Sequence, residues 1–114
     1  MNHIPERRRA PRKKITLIVY YCPKGNTATV DISQARNMST LGMCLNTGRK
    51  FDRDMVINLD LKLPFAEKPF YVLAMVKDST ERVKDIIYET RLEFMGLEDK
   101  QKKVLEQIIS FYQK

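Results

Sequence analysis

The chain has 114 residues, of which 43% are hydrophobic and 31% charged, and it carries a net charge of +7. That is the size and mix of one globular domain with a modest core. No apolar run reaches the ~18 residues of a membrane-spanning helix, and the N-terminus lacks the apolar middle of a signal peptide, so the reading is of a cytoplasmic protein with no membrane span.

The charge is unevenly placed. Residues 1–14 hold six Lys/Arg against one Glu, so +5 of the +7 sits in a short leader and the rest is nearly balanced. Pro5 and Pro11 oppose regular structure there, and Pro11 pushes Ala10 towards an extended conformation. The expectation is a flexible basic arm over residues 1–13, suited to attracting phosphate, followed by one domain over 14–114.

From Ile15 the pattern becomes that of a strand. Ile15, Leu17, Val19 and Tyr21 alternate with Thr16, Ile18 and Tyr20. Pro23-Lys24-Gly25-Asn26 reads as a turn in which Gly25 and Asn26 can take positive φ. Ala28, Val30 and Ile32 predict a second strand over Thr27–Ser33, and the polar stretch from Gln34 to Leu41 reads as irregular. Gly42–Leu45 reads as a short strand and Asn46-Thr47-Gly48 as a turn. Met55, Ile57, Leu59, Leu61 and Leu63 alternate cleanly until Pro64, which has no ladder donor. Phe70–Lys77 is a further apolar strand and Asp78–Lys84 a charged loop. Ile86, Tyr88, Thr90, Leu92 and Phe94 form the last strand.

The period then changes. Leu97, Val104, Leu105, Ile108, Ile109 and Tyr112 share one helical face. Glu98 and Asp99 stand at its start, where the helix dipole favours negative charge, and Gly96 supplies the corner. About six strands and one amphipathic helix predict a mainly β fold: a small antiparallel β-barrel with a C-terminal helix packed on it, closure removing exposed strand edges.

Two polar motifs carry the functional reading. In Arg8-Arg9-Ala10-Pro11-Arg12, two guanidinium forks could surround one ligand, since Arg matches both phosphate oxygens and the O6/N7 edge of guanine. In Asn37-Met38-Ser39-Thr40-Leu41-Gly42, alternate spacing in an extended chain points Asn37 and Ser39 to one side, with amide and hydroxyl groups that both donate and accept. Gly42 permits a turn or a close approach that a Cβ would block. Taken singly, the first motif also reads as a solvated basic tail and the second as an Asx- or Ser-type turn between strands. Together they point to a compact anionic ligand with guanine edges.

RxxxR at the start of a domain, a strand pair, then (D/N)xSxxG resembles the signature of PilZ domains, bacterial receptors of cyclic di-GMP. The resemblance extends through Leu61-Lys62-Leu63-Pro64, the Tyr88–Phe94 strand and the terminal helix. It implies a six-stranded barrel with a C-terminal helix. It also implies that Arg8 and Arg12 grip guanine and phosphate, that Asn37 and Ser39 hydrogen-bond the ligand on the barrel surface, and that Gly42 keeps the loop tight. Arg7 stands where family members with a basic residue often take up a stacked pair of ligand molecules. The chain departs from the family pattern at Arg91, where many members have a glycine, and in lacking a glycine before the Met55 strand. Asp31-Ile32-Ser33 begins a second copy of the motif whose glycine position holds Arg36.

The expected activity is a switch without catalysis. Cyclic di-GMP is the ligand, no cofactor is needed, and the arm folds onto the barrel and signals to an unidentified protein partner. The alternatives are a nucleic-acid-binding small barrel and a degenerate PilZ domain acting only in protein–protein interaction. Nucleic acid is disfavoured because the aromatic residues mostly fall on core positions rather than on a stacking platform. Membrane attachment through the arm would need more apolar residues than Ile4. An enzyme is the least expected class: His3 lies in the tail, and no phosphate loop, serine elbow or ligand cluster is present. Cys22, Cys44 and His3 do not make up a metal site. The two cysteines read as small apolar side chains that could meet across neighbouring strands.

Overall fold

Strand alternation does close into a barrel, and it does so without parallel pairing. A computed structural model describes residues 13–112, with side chains from Thr16 onward. Its strands are β1 (Lys13–Pro23), β2 (Asp31–Met38), β3 (Gly42–Thr47), β4 (Val56–Leu61), β5 (Tyr71–Val83) and β6 (Ile87–Met95), followed by helix α1 (Asp99–Phe111). The closed order is β1-β2-β3-β6-β5-β4, every pair antiparallel. Arg7, Arg8 and Arg12 lie outside the described residues, and β1 begins at Lys13, the last residue of the predicted arm.

Inward positions fill the barrel. Leu17, Val19 and Tyr21 of β1, Met43 and Leu45 of β3, Ile57, Leu59 and Leu61 of β4, Val72, Ala74 and Val76 of β5, and Leu92 and Phe94 of β6 are all buried. Each large apolar side chain taken out of water contributes about 1.5–3 kcal/mol, so the alternation seen in the sequence is the main source of stability.

The two ends are closed differently. At the end where β1, β3 and β5 begin, α1 lies across the barrel and inserts Leu105 and Ile108, both fully buried. Its first turn is fixed by Gln101. The Oε1 of that side chain accepts from Glu98 N–H at 2.8 Å, and its Nε2 donates to the Tyr71 carbonyl at 3.0 Å. Its last turn reaches β1, where the Tyr112 hydroxyl donates to the Thr16 carbonyl at 3.5 Å. The opposite end is closed by Phe51, packed edge-on against Tyr21 at 6.1 Å. There the hydroxyls of Thr47, Thr90 and Ser79 form a chain at 2.8 Å per step, so the buried polar groups are satisfied.

Several segments differ from the sequence reading. Thr27–Thr29 forms a 3-10 turn rather than a strand, and Val30 and Ile32 are exposed. The strand lies further on, through the stretch read as irregular, with Ala35 and Met38 pointing inward. A bulge between Ala35 and Asn37 changes the parity, which hides the pattern. Asp78–Lys84 is likewise mostly strand: β5 continues to Val83, paired with β6 as a solvent-exposed ribbon that needs no apolar alternation. Finally, of the Pro23–Asn26 turn residues only Gly25 takes positive φ, at 83°. Asn46 and Thr47 belong to β3 rather than to a turn.

Cys22 and Cys44 are both buried and form no disulfide; they stand on strands separated by β2, so they do not meet.

Candidate functional site

The Asn37–Gly42 motif builds the turn between β2 and β3. Met38 points into the core and is fully buried, so its strand neighbour Asn37 faces outward, while Ser39 lies in the turn beyond the strand. Their surroundings then diverge. Ser39 is only 2% exposed: its Oγ accepts the Leu41 N–H at 3.0 Å, and its own N–H donates to the Gly42 carbonyl at 2.9 Å. It closes the turn. Asn37, half-buried, sits opposite Cys44 and lines a polar cleft.

Gly42 is required by packing, not by backbone conformation. A Cβ there would lie 2.1 Å from the Leu92 carbonyl oxygen and 3.2 Å from the Glu93 Cα. That close approach of β3 to β6 is what brings the motif's turn against the last strand. It continues in the Phe94 N–H, which donates to the Leu41 carbonyl at 2.9 Å.

The cleft, about 510 Å³, lies on the outside of β1, β2, β3 and β6, with Thr16, Gln34, Arg36, Asn46, Glu89 and Tyr112 around Asn37. None of these companions was singled out as a site residue from sequence. Arg36 and Gln34 fall in the stretch read as irregular, Glu89 lies between the apolar positions of the last strand, and Tyr112 belongs to the apolar face of the helix. The one available signal was Arg36 itself, a cation adjoining the motif.

Charge on this face is organised in pairs. Arg82 donates to a Glu89 carboxylate oxygen, and that hydrogen bond is the main reason the Glu89 carboxyl is held below its ordinary range. The Arg91 Nε donates to the Asp78 Oδ2 at 2.8 Å and lowers the Asp78 carboxyl in the same way. Arg91, the departure from the family pattern, is therefore engaged along the β5–β6 ribbon.

The family model described as PilZ domain matches residues 6–111, nearly the whole chain. The chain belongs to the PilZ domain family. No curated protein matches its sequence. Among solved structures, it resembles the PilZ domain of YcgR from Escherichia coli with c-di-GMP, with a TM-score of 0.75 at 15% identity, covering 94% of this chain and 92% of that one. It also resembles the Bacillus subtilis inhibitor of motility MotI/DgrA, with a TM-score of 0.74 at 20% identity, covering 96% and 52%. The K. pneumonia MrkH–c-di-GMP complex follows, with a TM-score of 0.69 at 16% identity, covering 94% and 52%. The chain thus spans about half the length of the MotI and MrkH chains, and at these identities the likeness is one of fold.

This PilZ domain has a second hollow of similar size, about 600 Å³, outside β1, β4 and β5. Tyr20, Val30, Tyr71, Leu73 and Met95 make it apolar, and Asp60 is the charged residue in its lining. With no Lys or Arg among its described lining residues, it does not suit an anion. Nor do the described residues hold three His, Cys, Asp or Glu side chains close enough together to bind a metal ion. No helix among them is long and apolar enough to cross a membrane.

Proposed function

We propose that this PilZ domain is a cyclic di-GMP receptor that acts without catalysis. The observation that carries the reading is the register of β1 on β2. Lys13 pairs with Met38 and Lys14 with Asn37. Arg12 is bonded to Lys13, so chain continuity at ~3.8 Å per residue tethers the RxxxR segment to the rim where Asn37 stands. That register supports reading two sequence motifs some two dozen residues apart as parts of one site.

In this reading, Arg8 and Arg12 supply bidentate contacts to phosphate and guanine, and Arg7 stacks on a base. Asn37 hydrogen-bonds the ligand from the barrel wall, while Ser39 and Gly42 shape the turn that presents it. Drawing residues 7–12 onto the cleft costs roughly 1–2 kcal/mol per backbone residue fixed, and the charged contacts must offset that cost. The ordered segment then offers a changed surface to a protein partner in the cytoplasm. YcgR and MrkH, which share the fold, are solved with c-di-GMP, which supports the choice of ligand.

Isothermal titration with cyclic di-GMP tests this. Saturable binding is expected, weakened about ten- to a hundredfold in Arg8→Ala and in Arg12→Ala. No saturation at near-physiological salt would end the proposal.

A further inference from the structure

The polar cleft holds a carboxylate where an anion is expected to bind. Glu89 is the acid among its lining residues, on the same outer face as Asn37. The two stand on strands either side of β3, Asn37 opposite Cys44 and Glu89 opposite Asn46. Two strand spacings of ~4.8 Å put their backbones about 10 Å apart across the face, with an offset of two residues, roughly 7 Å, along it. A carboxylate facing a phosphodiester would repel it. Yet Glu89 is kept ionised and in place by Arg82, and Arg36 brings further positive charge to it.

A base resolves the conflict. The Watson–Crick edge of guanine offers two parallel donors, N1–H and the N2 amine, and an ionised carboxylate is acceptor-only with two oxygens at matching spacing. Adenine presents an acceptor at N1 and would face the carboxylate lone pair to lone pair. We propose that Glu89, steadied by Arg82, is a specificity-determining residue that reads the N1–H/N2–H edge of one guanine, so that the cleft selects cyclic di-GMP over cyclic di-AMP. The assignment rests on the cyclic di-GMP reading above. It gives the outer face of β6 the task of naming the base.

The experiment is a titration of the full chain and of Glu89→Gln with cyclic di-GMP, cyclic di-AMP and the cyclic inosine dinucleotide, which lacks only the N2 amine. The wild type is expected to bind cyclic di-GMP at least about tenfold more tightly than the inosine analogue, because a carboxylate oxygen loses its partner. In Glu89→Gln, cyclic di-GMP should weaken about ten- to a hundredfold, and its advantage over the inosine analogue should shrink to within about threefold, the non-additivity of two groups in contact. If the wild type binds cyclic di-GMP and Glu89→Gln keeps both affinity and preference, the base-reading role is overturned and the receptor stands. If the wild type binds no cyclic di-GMP, the receptor reading itself falls. Should Glu89→Gln fail to fold, the wild type decides: equal affinity for cyclic di-GMP and the inosine analogue would overturn the assignment.

Discussion

The barrel carries two hollows of comparable volume, and they are built on opposite principles. The apolar one, outside β1, β4 and β5, is bounded by side chains such as Tyr71, which is 65% exposed and stands on the surface. The polar one is lined by Gln34, Arg36, Asn37, Glu89 and Tyr112, and the turn that follows Asn37 is pressed against β6 at Gly42. The larger hollow is the poorer candidate, because size says nothing about which ligand is recognised. What a wall is made of, and how firmly it is held, says a good deal.

Substitutions should expose this contrast. Gly42→Ala strikes the tightest point of the turn that follows Asn37, where the Leu92 and Glu93 backbone cannot yield. It should cost about 3 kcal/mol or more and lower the melting temperature by ~10 °C or more, read by thermal denaturation. Ser39→Ala removes the acceptor of the Leu41 N–H and should cost about 1–2 kcal/mol. A loss of ligand affinity in that variant at a temperature where it is fully folded would show that Ser39 also touches the ligand.

Asp78→Asn unpairs Arg91 on the ribbon beside the polar face. The pair is largely exposed, so the expected loss is ~0.2–1 kcal/mol at neutral pH. The Asp78 carboxyl is lowered in the fold, so its contribution is present above the unfolded carboxylate value and disappears as pH falls through the folded one. The stabilities of wild type and Asp78→Asn should therefore begin to converge as pH falls below about 4, as denaturant titrations across pH would show. Tyr71→Ser, on the apolar side, should change stability by less than ~0.5 kcal/mol and leave cyclic di-GMP titrations unaltered. A large effect there would break the contrast.

Most of the fold was legible in the sequence because inward positions announce themselves by alternation. Ile57, Leu59 and Leu61 are the clearest case, and Leu105 with Ile108 show the helix in the same way. Legibility failed where alternation stops meaning burial. The apolar residues Val30 and Ile32 face solvent, whereas the core side of β2 is carried by Ala35 and Met38 across a bulge. The charged Glu81-Arg82 stretch is strand because β6 pairs with it, not because a core demands it. Asp54, at φ 73°, takes just before the Met55 stretch a backbone conformation that glycine adopts most easily, at the place where the family glycine is absent.

The candidate site was half legible. Asn37 and Gly42 could be named from spacing, and the reason for Gly42, a carbonyl 2.1 Å from where its Cβ would be, is one the motif alone left open between turn and close approach. Glu89 and Tyr112 could not be named, since only the folded barrel brings β6, on the far side of β3, and the helix end to the same face as Asn37. Sequence separation conceals such neighbours.

The β5–β6 ribbon runs on past β4, whose pairing with β5 stops at Met75. From Thr80 to Val83 a strand flank is therefore offered to any visitor, with Val83 and Ile86 exposed at the tip. The charges spaced along it, Glu81, Arg82 and Lys84, make it poor company for a second copy: two such flanks meeting head to tail around Glu81 would set like charge against like. This overhang is thus guarded by electrostatics, and stripping those charges should favour stacking of copies through it.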